Sequence, residues 1–316
     1  MIQTPSFSLP SPLQKLSTQL TQQHGINLYV KRDDLIHRDI SGNKWRKISG
    51  YIPYIEQHQI KHVISFGGAF SNHIHALAHV CQQLDVQLHA YIRGEASSKN
   101  NATLSHCPKS HTHFEFLDRQ TYKRRHDADF LAQIKAQFPN SLIIPEGGFG
   151  QCGLVGFKQL IEEVNKQIKC DYFFTPLGSG TTAAGLLENI SPQQKVIATA
   201  AVKNGIYLID EVKALLTDKK KMNAFELLTD YHFGGFAKVS PELLNFTLQI
   251  GQQNQLILDP IYTSKALFAL FELIAANHFA AGSNIVFLHT GGLQGWQGML
   301  ERKIINQTYL DNLYNH

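Results

Sequence analysis

The chain has 316 residues, 43% hydrophobic and 17% charged, with 29 Lys plus Arg against 25 Asp plus Glu for a net charge of +4. So high an apolar fraction with so little net charge excludes a disordered chain, and at this length roughly three quarters of the unfolded surface can be buried without a disulfide or metal staple. No stretch reaches the ~20 apolar residues of a membrane span, the first twenty residues lack the pattern of a secretory signal, and the scattered cysteines, with no CxxC pair, are those of a reduced, cytoplasmic protein.

Short runs rich in Val, Ile, Phe or Tyr predict strands over 27–30, 62–66, 86–92, 114–117, 141–144, 172–175, 196–201 and 285–289. Amphipathic stretches predict helices over 44–58, 71–84, 123–138, 153–168, 181–190, 207–228, 241–254 and 264–279. Strand alternating with helix implies βαβ units, hence an α/β protein with parallel sheets covered by helices. Such sheets place ligands beyond the carboxyl ends of their strands, where Gly-rich turns sit. The basic runs Lys123-Arg124-Arg125 and Lys219-Lys220-Lys221 each stand close to an Asp and read as solvated surface. Neither nucleic acid nor a membrane is expected as a partner.

Candidate chemistry then follows along the chain. Lys31-Arg32-Asp33-Asp34 precedes Ser41-Gly42-Asn43-Lys44-Trp45-Arg46-Lys47. Lys44 follows a turn and opens a helix, so its amine can point into a cleft. A partly desolvated lysine has a lowered pKa and can form a Schiff base; the plain alternative is a solvated first-turn lysine. In Phe66-Gly67-Gly68-Ala69-Phe70-Ser71-Asn72-His73, Ser71 and Asn72 fall at a helix start, either to hold a carboxylate or simply to cap the helix. Gly178-Ser179-Gly180-Thr181-Thr182 offers glycines, hydroxyls and a helix N-terminus, the parts of a phosphate cup. It is neither a P-loop nor the dinucleotide fingerprint, and an ordinary strand-to-helix turn has the same composition. Asp259-Pro260-Ile261-Tyr262-Thr263-Ser264 opens another helix, where Tyr262 can stack on a flat ligand or handle a proton. The 16 histidines invite a metal reading. However, His73, His75 and His79 do not share one helical face, and His106, Cys107, His111 and His113 lack a CxxC or HExxH frame, so no metal is expected.

Taken in order, Lys31 to Lys47, Gly67-Gly68-x-x-Ser71-Asn72-His73, Gly178 to Thr182, Asp259 to Tyr262 and His289-Thr290-Gly291-Gly292 span most of the chain. Together they resemble the pyridoxal-phosphate enzymes of fold type II, in the branch of 1-aminocyclopropane-1-carboxylate deaminase and D-cysteine desulfhydrase. The resemblance implies an α/β protein of two domains with twisted, mostly parallel sheets flanked by helices, like the tryptophan synthase β chain. A large cofactor-binding domain would cover 1–48 and 158–316, and a small α/β domain 49–157. Pyridoxal 5'-phosphate would lie in the cleft between them, in a homodimer. By this resemblance Lys44 carries the cofactor covalently and acts as the base. Asn72 bonds the ring hydroxyl, and Gly178, Ser179, Gly180, Thr181 and Thr182, with Lys47, hold the phosphate. Ser71 and the amides of Asn72 and His73 grip the substrate carboxylate, and Tyr262 lies beside the ring.

Two departures bear on the substrate. The cyclopropane deaminases carry a Glu that pairs with the pyridine nitrogen where this chain has Thr263, so Thr263 or Thr290 would be a neutral partner. Phe236 falls where both branches carry a substrate-side Tyr. Thr263 matches the desulfhydrase branch better, and both departures argue against ring opening, although the missing Phe236 hydroxyl would change the substrate contacts of either branch. The reading is β-elimination on a small amino acid such as D-cysteine, giving pyruvate, ammonia and sulfide. Ring opening of aminocyclopropane carboxylate, a fold type II dehydratase or racemase, and a non-catalytic binding protein are the alternatives.

Overall fold

The computed structural model describes residues 7–40 and 42–315, so Ser41 of the lysine segment lies outside the described residues. Ten strands are present among these: β1 (Leu13–Lys15), β2 (Asn27–Lys31), β3 (His62–Gly68), β4 (Gln87–Arg93), β5 (Thr112–Leu117), β6 (Ser141–Ile144), β7 (Tyr172–Leu177), β8 (Lys195–Ala200), β9 (Phe225–Leu228) and β10 (Asn284–Leu288). They form two sheets, one of order β1-β2-β10-β7-β8-β9 and one of order β5-β4-β3-β6. All pairings are parallel except β1 against β2. The chain starts the larger sheet, leaves it after β2 to build the whole smaller sheet, and returns at β7. We propose 48/49 and 157/158 as the domain limits.

Burial on both faces explains why the central strands are almost continuously apolar. In the larger sheet Phe173, Val196, Ala198 and Val286 face one cluster with Phe157, Leu186 and Val212. Their neighbours Phe174, Ile197, Ile285 and Phe287 point the other way, onto Ile250, Leu267 and Leu270. This is the two-residue alternation of a pleated strand with helices on either side. In the smaller sheet Val63, Leu88 and Ile92 pack on the helix Asn72–Gln83 through Ile74, Leu77 and Cys81. Ile64, Phe66 and Tyr91 cover the opposite face with Tyr122 and Ile134.

Several expected elements differ. The stretch 207–228 is helical only over Leu208–Leu215; a 3-10 turn (Lys219–Ala224) and edge strand β9 follow. Asp218 accepts from the Lys220 amide and so starts a new turn there. The helix expected at 44–58 is two, Asn43–Ile48 and Ile52–Gln57. Gly50 and Pro53 lie at this break, and Pro53 suits only the first turn of a helix because it lacks an N–H. The segment 123–138 likewise divides into Arg119–Lys123, a 3-10 turn, and Ala128–Gln137 capped by Asp127. Strand β1 and the helices Gln19–Gln23, Gly295–Glu301 and Gln307–Tyr314 were not anticipated. They are short, and their burial depends on distant partners rather than on a local period. No helix among the described residues is long and apolar enough to cross a membrane.

Candidate active site

The helix Asn43–Ile48 carries the candidate lysine and is held by a close approach of two main chains. Gly42, at φ +67°, leaves no room for a side chain, because a Cβ there would lie 2.0 Å from the Thr290 carbonyl oxygen. The lysine helix therefore rests directly on the turn that follows β10. Asn43 reaches the other way, its Nδ2 donating to Thr182 Oγ1 at 2.9 Å, while its Oδ1 accepts from the Lys44 amine. Burial lowers the Lys44 pKa to about 8, against the opposing pull of the Asp259 charge. A substantial neutral fraction at ordinary pH makes this amine a nucleophile and base.

Arg46 points away from Lys44 into a buried ionic network. Its guanidinium meets Asp33 Oδ1 at 2.9 Å and Glu163 Oε2 at 2.8 Å, and Lys31 meets the same Glu163 oxygen at 2.6 Å. Arg32 pairs with Asp34 at 2.7 Å. The Lys31-Arg32-Asp33-Asp34 motif is thus the frame that fixes the lysine helix.

One turn on from Lys44, Lys47 is 4% exposed, and its Nζ lies 3.4 Å from Ser179 Oγ. Among the described residues it has no carboxylate partner. Burial and then the Lys44 charge push its pKa well below the ordinary lysine value. Ser179 belongs to the cup after β7, where Gly180 takes the left-handed conformation at φ +70° and the helix Thr181–Asn189 begins. Among the described residues no protein acceptor faces the amides of Ser179 and Gly180. Free amides at a helix N-terminus and a buried, unpaired cation together suit a phosphate.

The third wall is the turn after β3. Ser71 caps the helix Asn72–Gln83, its Oγ accepting from the Ile74 amide at 3.2 Å. Capping and ligand holding are therefore not exclusive, since the amides of Asn72 and His73 stay without an acceptor among the described residues. Asn72 Oδ1 accepts from Gln294 Nε2 at 2.7 Å, which joins the two sheets' loops. His73 is buried; its Nε2 lies 2.9 Å from Ser65 Oγ, which itself donates to the Ile144 carbonyl at 2.7 Å. Because the Ser65 proton is committed to Ile144, His73 Nε2 donates, and Nδ1 keeps a bare lone pair. Burial, with the charges of Lys47 and Lys44, drives the His73 pKa down to about 3, so the ring is neutral.

Tyr262 closes the cup. A Cβ on Gly178 would lie 3.1 Å from Tyr262 Cε1 and 3.4 Å from its hydroxyl, so only glycine leaves room for the ring. Burial, with the negative charges of Asp259 and Glu146, raises the Tyr262 pKa and keeps its hydroxyl protonated. Phe236 stands edge-on to Tyr262, ring centres 6.0 Å apart. Thr263 is fully buried. Its hydroxyl donates to Asp259 Oδ1 at 2.7 Å and accepts from the Asp259 amide at 2.7 Å. Its only proton and one of its two lone pairs are thereby engaged within its own turn. Thr290 has no side-chain hydrogen bond among the described residues and sits on the Gly42 turn.

Two features escaped the sequence. The turn Glu146–Gly148 after β6 threads between the walls: a Cβ on Gly147 would be 3.0 Å from Ser179 Oγ, and one on Gly148 3.1 Å from Lys47 Cβ. Its Gly-Gly pair was the available signal. Lys265 is buried, and its amine donates to the His232 and Gly235 carbonyls at 2.9 Å each, holding the turn that presents Phe236.

The chain is similar to known proteins over most of its length. A family model described as pyridoxal-phosphate dependent enzyme matches residues 7–291. A provisionally named 1-aminocyclopropane-1-carboxylate deaminase of Pyrococcus abyssi is 29% identical over 300 residues, 90% of either chain. A D-cysteine desulfhydrase of Klebsiella pneumoniae is 26% identical over 303 residues, covering 90% of this chain and 92% of that one. Among solved structures, an ACC deaminase homologue superposes with a TM-score of 0.81 at 25% identity, over 95% of this chain and 94% of that one.

Proposed function

The chain belongs to the pyridoxal-phosphate dependent enzymes, and from that premise we propose that it eliminates the β-substituent of a small amino acid, D-cysteine in the first instance. Water and D-cysteine would give pyruvate, ammonia and hydrogen sulfide. The relatives named as deaminase and as desulfhydrase share the cofactor, so the choice between them rests on this chain's own residues.

The residues fit the cofactor. The Gly178–Thr182 cup and the unpaired Lys47 would hold its phosphate, and Lys44 would carry it covalently. Pyridoxal phosphate, when bound, withdraws charge from the α-carbon of an amino acid and so makes its proton removable. Lys44, a neutral amine once displaced by the substrate, takes that α-proton. The amides of Asn72 and His73, with Ser71, hold the substrate carboxylate. Tyr262, kept protonated by its surroundings, donates to the departing sulfur.

The observation that carries elimination over ring opening is the engagement of Thr263. In the cyclopropane deaminases a carboxylate stands at this position to pair with the ring nitrogen. Here it is a hydroxyl already committed to Asp259. This leaves the neutral Thr290 as the residue we assign to the ring nitrogen. A neutral partner gives a weaker electron sink, which is enough for a substrate with a good leaving group such as thiolate. Phe236 offers no hydroxyl to the substrate side, which also disfavours acid-assisted ring opening.

The test is keto-acid and sulfide release by the cofactor-loaded protein from D-cysteine, L-cysteine and aminocyclopropane carboxylate. Pyruvate with sulfide from D-cysteine alone supports the proposal. Ketobutyrate from the cyclopropane with no sulfide from either cysteine overturns it.

A further inference from the structure

A second polar cluster lies on the helix Asn72–Gln83, beyond the residues that face the cofactor cleft. His75 and His79 are four residues apart and so share one helical face. Their ring centres are 4.8 Å apart. Asp39 comes from the segment leading to the Lys44 helix, where His37 Nδ1 accepts from the Asp39 and Ile40 amides at 3.0 and 3.1 Å and fixes the turn. One ligand atom from each of Asp39, His75 and His79 lies within 4.8 Å of the other two. His79 Nε2 is buried with no hydrogen-bond partner among the described residues. A buried imidazole nitrogen without a partner is costly, and coordination to a metal ion or a bond to water would satisfy it. The backbone of Asp39 lies against the His75 ring, and that of His106 against the His79 ring.

A cavity of about 570 Å³ opens beside this cluster, lined among others by Asp39, His75, His106, Gln294 and Glu301. It supplies an entry path and space for a solvent ligand. We propose that Asp39, His75 and His79 bind a divalent transition metal of the zinc type, with water from the cavity as fourth ligand. Two imidazoles and one carboxylate select zinc, cobalt or nickel over magnesium or calcium, which prefer all-oxygen sites. The triple weighed from sequence, His73 with His75 and His79, failed on helical geometry. The structure replaces His73 with a carboxylate from another element. A metal there would tie the segment ahead of Lys44 to the helix that begins with Asn72 and His73.

The experiment is calorimetric titration of the chelator-treated holoenzyme with Zn²⁺, repeated with Co²⁺ while following the visible bands of four-coordinate cobalt. One equivalent is expected to bind, and zinc is expected to raise the thermal midpoint of the wild type. Asp39→Asn and His79→Gln are each expected to weaken zinc binding by about 100-fold and to abolish the midpoint shift. His113→Gln, on the far sheet edge, is the control and is expected to bind as the wild type does. Retained cofactor absorbance in each variant shows that it is folded. No stoichiometric binding, or binding that survives in both site variants, overturns the proposal.

Discussion

The helix Asn43–Ile48 treats buried positive charge in two opposite ways. On one face Arg46 meets Asp33, Glu163 and Ser11, and each partner is itself paired. On the other, Lys44 and Lys47 are enclosed without a carboxylate partner among the described residues, and their pKa values fall. A buried charge left unpaired opposes folding. The difference therefore separates scaffold from site: the paired face fixes the helix, and the unpaired face waits for an anion and an aldehyde.

Lys44→Ala tests the unpaired face most severely. Turnover is expected to fall by at least about 10⁴-fold, with thermal stability unchanged or raised, since an enclosed amine is removed. Activity within tenfold of the wild type would break the comparison. Arg46→Ala is its counterpart on the paired face. It leaves Glu163 with Lys31 alone and Asp33 with Ser11 but no cation, and should cost about 3–5 kcal/mol of stability, measured by urea denaturation. Lys47→Met sharpens the contrast: little or no loss of stability is expected, with cofactor affinity down by about 10- to 100-fold. Equal destabilisation by both changes would mean that the two faces do the same job.

The pH dependence follows from the direction of the Lys44 shift. Its amine is depressed to about 8, so the neutral, reactive form grows as pH rises towards that value and saturates above it. At pH 7 about a tenth is neutral, against roughly one part in 3,000 at the ordinary lysine value. Uptake of pyridoxal phosphate by the cofactor-free protein should accelerate up to pH about 8 and then level off. A rate still climbing tenfold per unit at pH 9 would show an unshifted amine. The smallest expected effect is that of Ser71→Ala. Loss of the cap should cost about 1 kcal/mol, and KM should rise with kcat nearly kept. An unchanged KM would remove Ser71 from the substrate's carboxylate.

The strands ending at Gly68, Leu177 and Leu288 were legible as apolar runs that lead into Gly-rich turns. Lys44 was not legible by position alone, since a lysine after Gly42-Asn43 reads equally as a solvated first-turn residue; only the order of the motifs singled it out. The frame was not legible. Lys31, Arg32, Asp33 and Asp34 read as cofactor motif, yet most of their bonds run to residues remote in sequence such as Glu163. Lys265 looked like any helix lysine, because only the folded turn at His232–Gly235 gives it carbonyls to hold. Strand β9 was hidden for a similar reason: four residues after a basic turn carry too little period to compete with a helical reading. Asp39 with His75 and His79 was invisible, since it joins two elements that only the fold brings together.

The central claim is that the half-buried Lys44, and none of the buried lysines, is the residue that takes the cofactor. The direct measurement is borohydride reduction of the loaded protein, followed by peptide mass mapping. We predict the phosphopyridoxyl mass on the peptide at Lys44, with none on Lys31, Lys47 or Lys265. Label on Lys47 or Lys265 with Lys44 unmodified would contradict the account.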